Sequence, residues 1–121
     1  MELNKLTIVE AAAGLKEKKF TSVELTTACL ARINERNKDI NAFITVCADE
    51  AMAEAQVADE RLARGEISTL TGIPYSVKDA IVTKGARATA AAKILDNYVA
   101  PYDATVVARL RAAGAVLVGK K

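Results

Sequence analysis

The sequence predicts an α/β fold in which helices come first and the opening strands of a sheet follow. Residues 1–65 show helical periodicity, residues 66–121 contain two short apolar runs rich in branched side chains, and a helical stretch separates the two runs. A strand, a crossover containing a helix and a second strand form a parallel, right-handed pair in nearly all known cases. We therefore expect a mixed, mainly parallel sheet covered by helices, within one domain spanning all 121 residues.

Capping patterns mark the first two helices. Thr7 precedes apolar residues spaced i, i+3/i+4, and Glu10 follows it three positions later, which predicts a helix over about residues 8–18. The run Thr-Ser-Val-Glu at residues 21–24 is a second capping pattern. We expect its helix to end near residue 37, where Asn, Lys and Asp follow one another.

The middle of the chain alternates between strand and helix signals. Residues 42–46 have the branched and aromatic content of a strand, and an alanine-rich stretch over about residues 49–64 predicts a strong helix that Gly65 ends. The next apolar run, residues 73–77, is typical of a buried strand in which a proline is tolerated near the beginning. A short helix is expected over residues 88–95.

The last part of the chain predicts one helix and one strand. Asp103 can cap a helix that extends to Ala113, and Gly114 can end it. Residues 115–118 are continuously apolar, as in a strand buried on both faces.

Composition excludes several classes of protein. The chain has no histidine, so a zinc site and a Ser-His-Asp or Cys-His centre are not expected, and Cys29 and Cys47 are expected to be buried thiols in a reducing compartment. A net charge of +2 with interspersed signs predicts no nucleic-acid stripe. We find neither a signal peptide nor a membrane span, and we expect a cytoplasmic protein without a metal or bound cofactor of its own.

Lys78 is the candidate catalytic residue, because it ends the apolar run 73–77 in a chain that lacks the usual neutral-pH base. Ser76 shares its face of the strand, whereas Tyr75 and Val77 lie on the other face. Two interpretations stay open from spacing alone. Lys78 is either a solvated lysine paired with Asp79, or an amine whose pKa burial lowers by several units so that it serves as a base.

Four segments resemble the amidase signature family, and helical residues 1–60 resemble its opening as well. The order and spacing of the four segments carry the resemblance, since each alone is modest. They are Gly72-Ile73-Pro74-Tyr75-Ser76-Val77-Lys78-Asp79, Ile81-Val82-Thr83-Lys84-Gly85, Pro101-Tyr102-Asp103-Ala104-Thr105-Val106-Val107, and Leu110 to Gly119-Lys120.

The resemblance implies a mechanism in which a serine attacks an amide while a lysine moves the proton through a bridging serine, and backbone N–H groups hold the oxyanion. The family lysine matches Lys78, and Asp79 matches the next residue, for which we expect a supporting role behind the lysine. The family's two serines belong to a Gly/Ser-rich stretch beyond Lys121. We therefore expect an incomplete amidase fold, inactive alone, and disfavour a local dyad of Ser76 with Lys78.

Within the family, the segments are most similar to the glutaminase subunits of tRNA-dependent amidotransferases. This implies hydrolysis of glutamine to supply ammonia for converting Glu-tRNA(Gln) to Gln-tRNA(Gln) or Asp-tRNA(Asn) to Asn-tRNA(Asn). It also implies a heterotrimer with B and C subunits, in which ATP, Mg²⁺ and most of the misacylated tRNA are bound by the partner.

Two other interpretations stay open: part of another amidase acting on small amides, or a non-catalytic module that binds a partner through its helices and an open sheet edge. Ala88 and Ala92 stand where family members commonly have hydroxyl side chains. We expect these two alanines to remove polar contacts near the active-site floor.

Overall fold

The structure, a computed structural model, describes residues 2–121 and contains four helices and three strands within that range. Short 3-10 turns lie at Leu3–Lys5 and Lys93–Leu95. In chain order the elements are α1 Ile8–Lys16, α2 Ser22–Ile40, β1 Thr45–Val46, α3 Ala48–Ala63, β2 Pro74–Val77, α4 Thr105–Ala112 and β3 Val116–Lys120. The predicted α/β class, with helices first and strands after, is confirmed.

The first helix begins where its capping pattern predicts. The Thr7 hydroxyl accepts a hydrogen bond from the Glu10 N–H at 3.2 Å, and the Glu10 carboxylate accepts one from the Thr7 N–H at 2.9 Å. Helix α1 ends at Lys16, two residues earlier than predicted. The chain then turns through Lys18, whose φ of 59° is incompatible with a continuing right-handed helix.

Helix α2 begins as predicted but continues three residues beyond residue 37. The Asn37 side chain is occupied by the loop that follows, since it accepts from the Phe43 N–H at 2.7 Å and donates to the Phe43 carbonyl at 3.1 Å. The helix ends instead at Asn41, which adopts a left-handed φ of 55°. The predicted helix break at Asn37 was therefore wrong.

The sheet has the order β1-β3-β2, with β2 parallel to β3 and β1 antiparallel to it. The parallel pair was predicted. The strand predicted over residues 42–46 is reduced to Thr45–Val46, which pair with Lys120 and Gly119. A shift of register between Tyr75 and Ser76 marks a bulge in the β2–β3 pair.

The helix predicted over residues 88–95 is absent from the described chain, apart from the 3-10 turn at its end. Ala90 and Ala91 have φ values of 50° and 58°, outside the helical region. The Ala88 N–H donates to the Tyr98 carbonyl, and Arg87 forms a bridge with Val99. Contacts with residues further along the chain therefore override the helical propensity of the alanines.

Helix α4 and strand β3 differ from prediction at their first and last residues. The N-cap of α4 is Ala104, because the Asp103 carboxylate is engaged elsewhere, and Gly114 with φ 87° ends the helix region as predicted. Strand β3 continues two residues beyond 118 and so includes Lys120.

Helices cover both faces of the sheet. Ala51 and Ala55 of α3 pack on Val116 and Val118 of β3. On the opposite face, Val107 of α4 packs on two strand residues, Val77 and Leu117. A third cluster joins α1 and α2 to the start of β2 and contains Ala11, Leu15, Phe20, Leu25 and Ile73.

We expect Val107→Ala to lower the free energy of unfolding by about 2 kcal/mol, because Val107 has no exposed surface and its truncation leaves a cavity between α4 and the sheet. Val106→Ala is the matched control, since Val106 is half exposed on the same helix. Urea denaturation followed by circular dichroism measures both. Equal effects of the two substitutions would contradict the close packing of α4 on the sheet.

Candidate active site around Lys78

Lys78 directly follows β2 and its side chain is exposed. Within residues 2–121 its amine makes no ion pair. The structure therefore shows the solvated lysine of the first alternative without its pairing to Asp79, and not the burial that the second alternative requires. The Lys78 carbonyl accepts a hydrogen bond from the Ile81 N–H at 2.9 Å, which closes a turn over residues 78–81. The turn presents the Lys78 side chain outward.

Asp79 points the opposite way and is buried, with 2% of its surface exposed. Its carboxylate accepts hydrogen bonds from the N–H of Thr89, at 3.1 Å, and from the Thr89 hydroxyl. The Asp79 N–H donates to the Lys121 carbonyl at 2.9 Å. The second carboxylate oxygen, Oδ1, is buried without a protein partner in the described chain. Asp79 thus ties the turn to two distant segments.

Lys120, which sequence reasoning did not single out, is a buried lysine beside this turn. Its side chain has no exposed surface, and its Nζ donates to the Ile81 carbonyl at 2.6 Å. Burial lowers the pKa of Lys120, and the negative charge of Asp79 opposes that shift. The available signal was that Lys120 follows the apolar run 115–118 by two residues and ends the last of the four family-like segments.

A network of charged side chains fixes the long segment between β2 and α4. Arg111 pairs with Glu54 at 2.5 Å and with Asp103 at 3.2 Å. Asp103 also accepts from the Lys84 N–H at 2.7 Å, and Glu54 accepts from the Leu117 N–H at 2.9 Å. The carboxylate that the sequence suggested as a helix cap therefore holds this segment to α4.

This network shifts several pKa values. Burial opposes ionisation of Asp103, but hydrogen bonds from the Lys84 N–H and Arg111 hold its pKa below the usual range. The pKa of Arg111 is raised by the nearby Glu54 and Asp103 carboxylates, although burial works against this shift. Burial, followed by the charge of Glu54, raises the pKa of Tyr75 to about 12, so its phenol is neutral at physiological pH.

The remaining candidate nucleophiles are not activated by their surroundings. No hydrogen bond joins the Ser76 hydroxyl to Lys78 within the part of the chain that the structure describes. Cys47 is buried and Cys29 half-buried, and burial raises the pKa of both thiols. Residues 2–121 contain no group of three or more metal-ligating side chains, and no helix in them is long and apolar enough to cross a membrane.

The alanines that depart from the family pattern lie close behind Asp79. Ala88 is buried next to Thr89, and Ala92 is half-buried, with its N–H donating to the Thr89 carbonyl at 2.8 Å. Thr89 supplies the hydroxyl that Asp79 binds. Thr89, which lies between the two alanines in the chain, therefore provides the polar contact to the Asp79 carboxylate.

The site is thus a parallel strand pair, covered by helices on both faces, that leads into a turn carrying Lys78. Residues 24–121 match the family model described as Amidase. The chain belongs to the amidase family, as the order of its motifs suggested.

The chain matches the N-terminal part of the A subunit of glutamyl-tRNA(Gln) amidotransferase. It is 56% identical over 120 residues to the A subunit from Geobacter metallireducens, covering 99% of this chain and 25% of the relative. It is 53% identical over 118 residues to the A subunit from Roseiflexus sp., covering 98% of this chain and 24% of the relative. The chain thus spans about a quarter of the length of the curated relatives it matches.

Solved amidase structures share the fold. The native peptide amidase of Stenotrophomonas maltophilia superposes with a TM-score of 0.90 at 32% identity, covering 96% of this chain and 24% of the amidase. A chain from a vestigial protein complex, described as revealing the evolutionary origins of an s-triazine catabolic enzyme, superposes with a TM-score of 0.90 at 37% identity, covering 95% of this chain and 26% of that one.

Proposed function

We propose that this chain is the lysine-bearing part of a glutaminase subunit that supplies ammonia to a tRNA-dependent amidotransferase. The observation that carries the proposal is the identity of 51–56% to the A subunit of glutamyl-tRNA(Gln) amidotransferase across nearly the whole chain. Lys78, which is exposed directly after β2, is the proposed proton-transfer residue. Asp79 is proposed to act behind it.

In the complete enzyme a serine outside this chain attacks the side-chain amide of glutamine and forms an acyl-enzyme, with release of ammonia. Lys78, through a second serine, accepts the proton of the attacking hydroxyl and delivers one to the leaving amine. Water then hydrolyses the acyl-enzyme to glutamate. The chain alone is proposed to release no ammonia from glutamine.

The partners belong to the same proposal. B and C subunits complete a heterotrimer in the cytoplasm, and the misacylated tRNA, ATP and Mg²⁺ are bound mainly by a partner. The acceptor is Glu-tRNA(Gln), as in the names of the relatives, or Asp-tRNA(Asn). No site for ATP or Mg²⁺ is proposed within residues 2–121.

A second candidate, part of an amidase acting on other amides, is favoured by the match to peptide amidase. A third, a non-catalytic binding module, is favoured by β2, which has no neighbour on its outer edge in the three-stranded sheet of the described residues. We favour the glutaminase subunit over these two candidates, because the chain is 56% identical to a tRNA amidotransferase subunit and 32% identical to the peptide amidase.

A graft tests the three candidates. The chain replaces the 120 matching residues of the Geobacter metallireducens relative, which is assembled with its own partner subunits. The matched control carries the corresponding segment of the Stenotrophomonas peptide amidase. We expect the first graft to convert Glu-tRNA(Gln) to Gln-tRNA(Gln) with glutamine as the nitrogen donor, and the control to fail. Equal failure of both grafts would count against the proposal.

A further inference from the structure

Two oppositely charged residues, Lys120 and Asp79, are buried behind the turn that carries Lys78. Lys120 has no exposed surface and Asp79 has 2%, so both have lost the water that would solvate an isolated charge. Keeping an isolated charge buried costs several kcal/mol, which a counter-charge and hydrogen bonds offset. Their charges are close enough for Asp79 to favour the protonated form of Lys120. Each residue therefore supports the burial of the other.

The contacts of the two residues converge on the turn over residues 78–81. Lys120 binds the carbonyl of the last turn residue, Ile81, at 2.6 Å. Asp79, the second turn residue, is held through its N–H by the Lys121 carbonyl and through its carboxylate by Thr89. The turn is thus held to the end of β3 and to Thr89, while the Lys78 side chain is exposed.

We infer that Lys120 is a positioning residue for Lys78: together with Asp79 it fixes the turn 78–81 against strand β3, and thereby fixes the place from which Lys78 reaches the reacting serine. This role rests on the proposed function only in so far as Lys78 is the catalytic amine. The anchoring of the turn is a property of this chain and can be measured in the chain itself. Catalytic groups have to be held within about 0.5 Å of their productive positions, which gives a reason for anchoring the turn on both sides.

Amide hydrogen exchange in the 121-residue chain measures the anchoring. Lys120→Met keeps the length of the side chain and removes its charge, and Lys93→Met, at an exposed lysine, is the matched control. We expect exchange of the Asp79 and Ile81 amides to accelerate at least about tenfold in Lys120→Met, with little change at the Ala55 amide in the core of α3. Lys120→Arg retains the cation and is expected to restore part of the protection.

Unchanged exchange in the turn, or an equal acceleration at Ala55, would overturn the inference. If Lys120→Met does not fold, the double variant Lys120→Met/Asp79→Asn, which carries neither buried charge, replaces it, and the same selective acceleration is expected. Failure of both variants to fold would also overturn the inference, because Lys120 would then support the fold as a whole.

The active graft supplies a second readout. Lys120→Met there should lower kcat for glutamine about tenfold or more with little change in KM, and Lys120→Arg should recover part of the loss, because an ill-placed base slows the reaction without weakening substrate binding. A fall in stability with unchanged kcat would overturn the positioning role. If the graft with native Lys120 is inactive, the proposed function fails, whereas the exchange experiment still decides whether Lys120 anchors the turn.

Discussion

Replacing Lys78 by alanine in the grafted enzyme is expected to lower kcat for glutamine hydrolysis by at least about 100-fold, since a positioned acid–base group typically contributes a factor of about 10² to 10⁴. Lys78→Arg is expected to be as inactive. Arginine keeps the positive charge and nearly the same reach, but its guanidinium does not lose a proton in proteins and cannot serve as a base. Ammonia release and glutamate formation measure both variants.

The control for these variants is Lys93→Ala, at an exposed lysine in the 3-10 turn after the site, which should leave turnover unchanged. Circular dichroism should show the same fold for all grafts, because the Lys78 side chain is exposed and makes no ion pair within residues 2–121. Retention of more than about a tenth of the activity in Lys78→Arg would show that the amine acts through its charge alone. Full activity of Lys78→Ala would show that Lys78 is not the proton-transfer residue.

Ala55→Leu is expected to lower the free energy of unfolding by about 3 kcal/mol, the upper part of the range for overpacking a tight core. Ala55 has no exposed surface and lies where α3 packs on Val116 and Val118 of β3. A side chain with three more carbons has to push the helix away from the strand. Since β3 pairs with both other strands, the displacement would disturb the whole sheet.

Ala53→Leu is the matched control, because it makes the same change on the exposed side of the same helix. Its cost should be within about 0.5 kcal/mol of zero, as for most surface substitutions. Urea denaturation of both variants gives the comparison. Similar midpoints for the two would mean that α3 does not pack closely on β3.

Helix caps and helix ends could be predicted from the sequence wherever a residue and its hydrogen-bond partner lie within one turn. The exchange of hydrogen bonds between Thr7 and Glu10 and the stop at Gly114 depend on neighbours three or fewer positions away, or on one residue's own backbone freedom, and both were predicted. The apolar runs that became β2 and β3 were also predicted as strands. Only β3 is buried along its whole length, whereas three of the four residues of the edge strand β2 are half-buried. The α/β class and the family resemblance follow from such short-range patterns.

The predictions of local structure were wrong where a residue is held by a contact with a partner distant in sequence. Residues 88–95 have helical composition, yet contacts with Asp79 and Tyr98 hold this segment irregular. Asp103 has the character of a helix cap, but Lys84 and Arg111 take its carboxylate. Such partners are separated from their targets by 8 to 19 positions, and a periodicity or capping pattern carries no information at that range.

Sequence patterns were enough to predict the class of fold and the family, and to select Lys78 and Asp79 as the residues to examine. The folded chain was needed to show that Lys78 projects outward while Asp79 is buried. It was also needed to show that Lys120, more than 40 positions along the chain from Lys78, lies behind the same turn. The physical reason is that pairing β3 with β2 brings the ends of two strands together. Neither strand alone specifies which charges meet there.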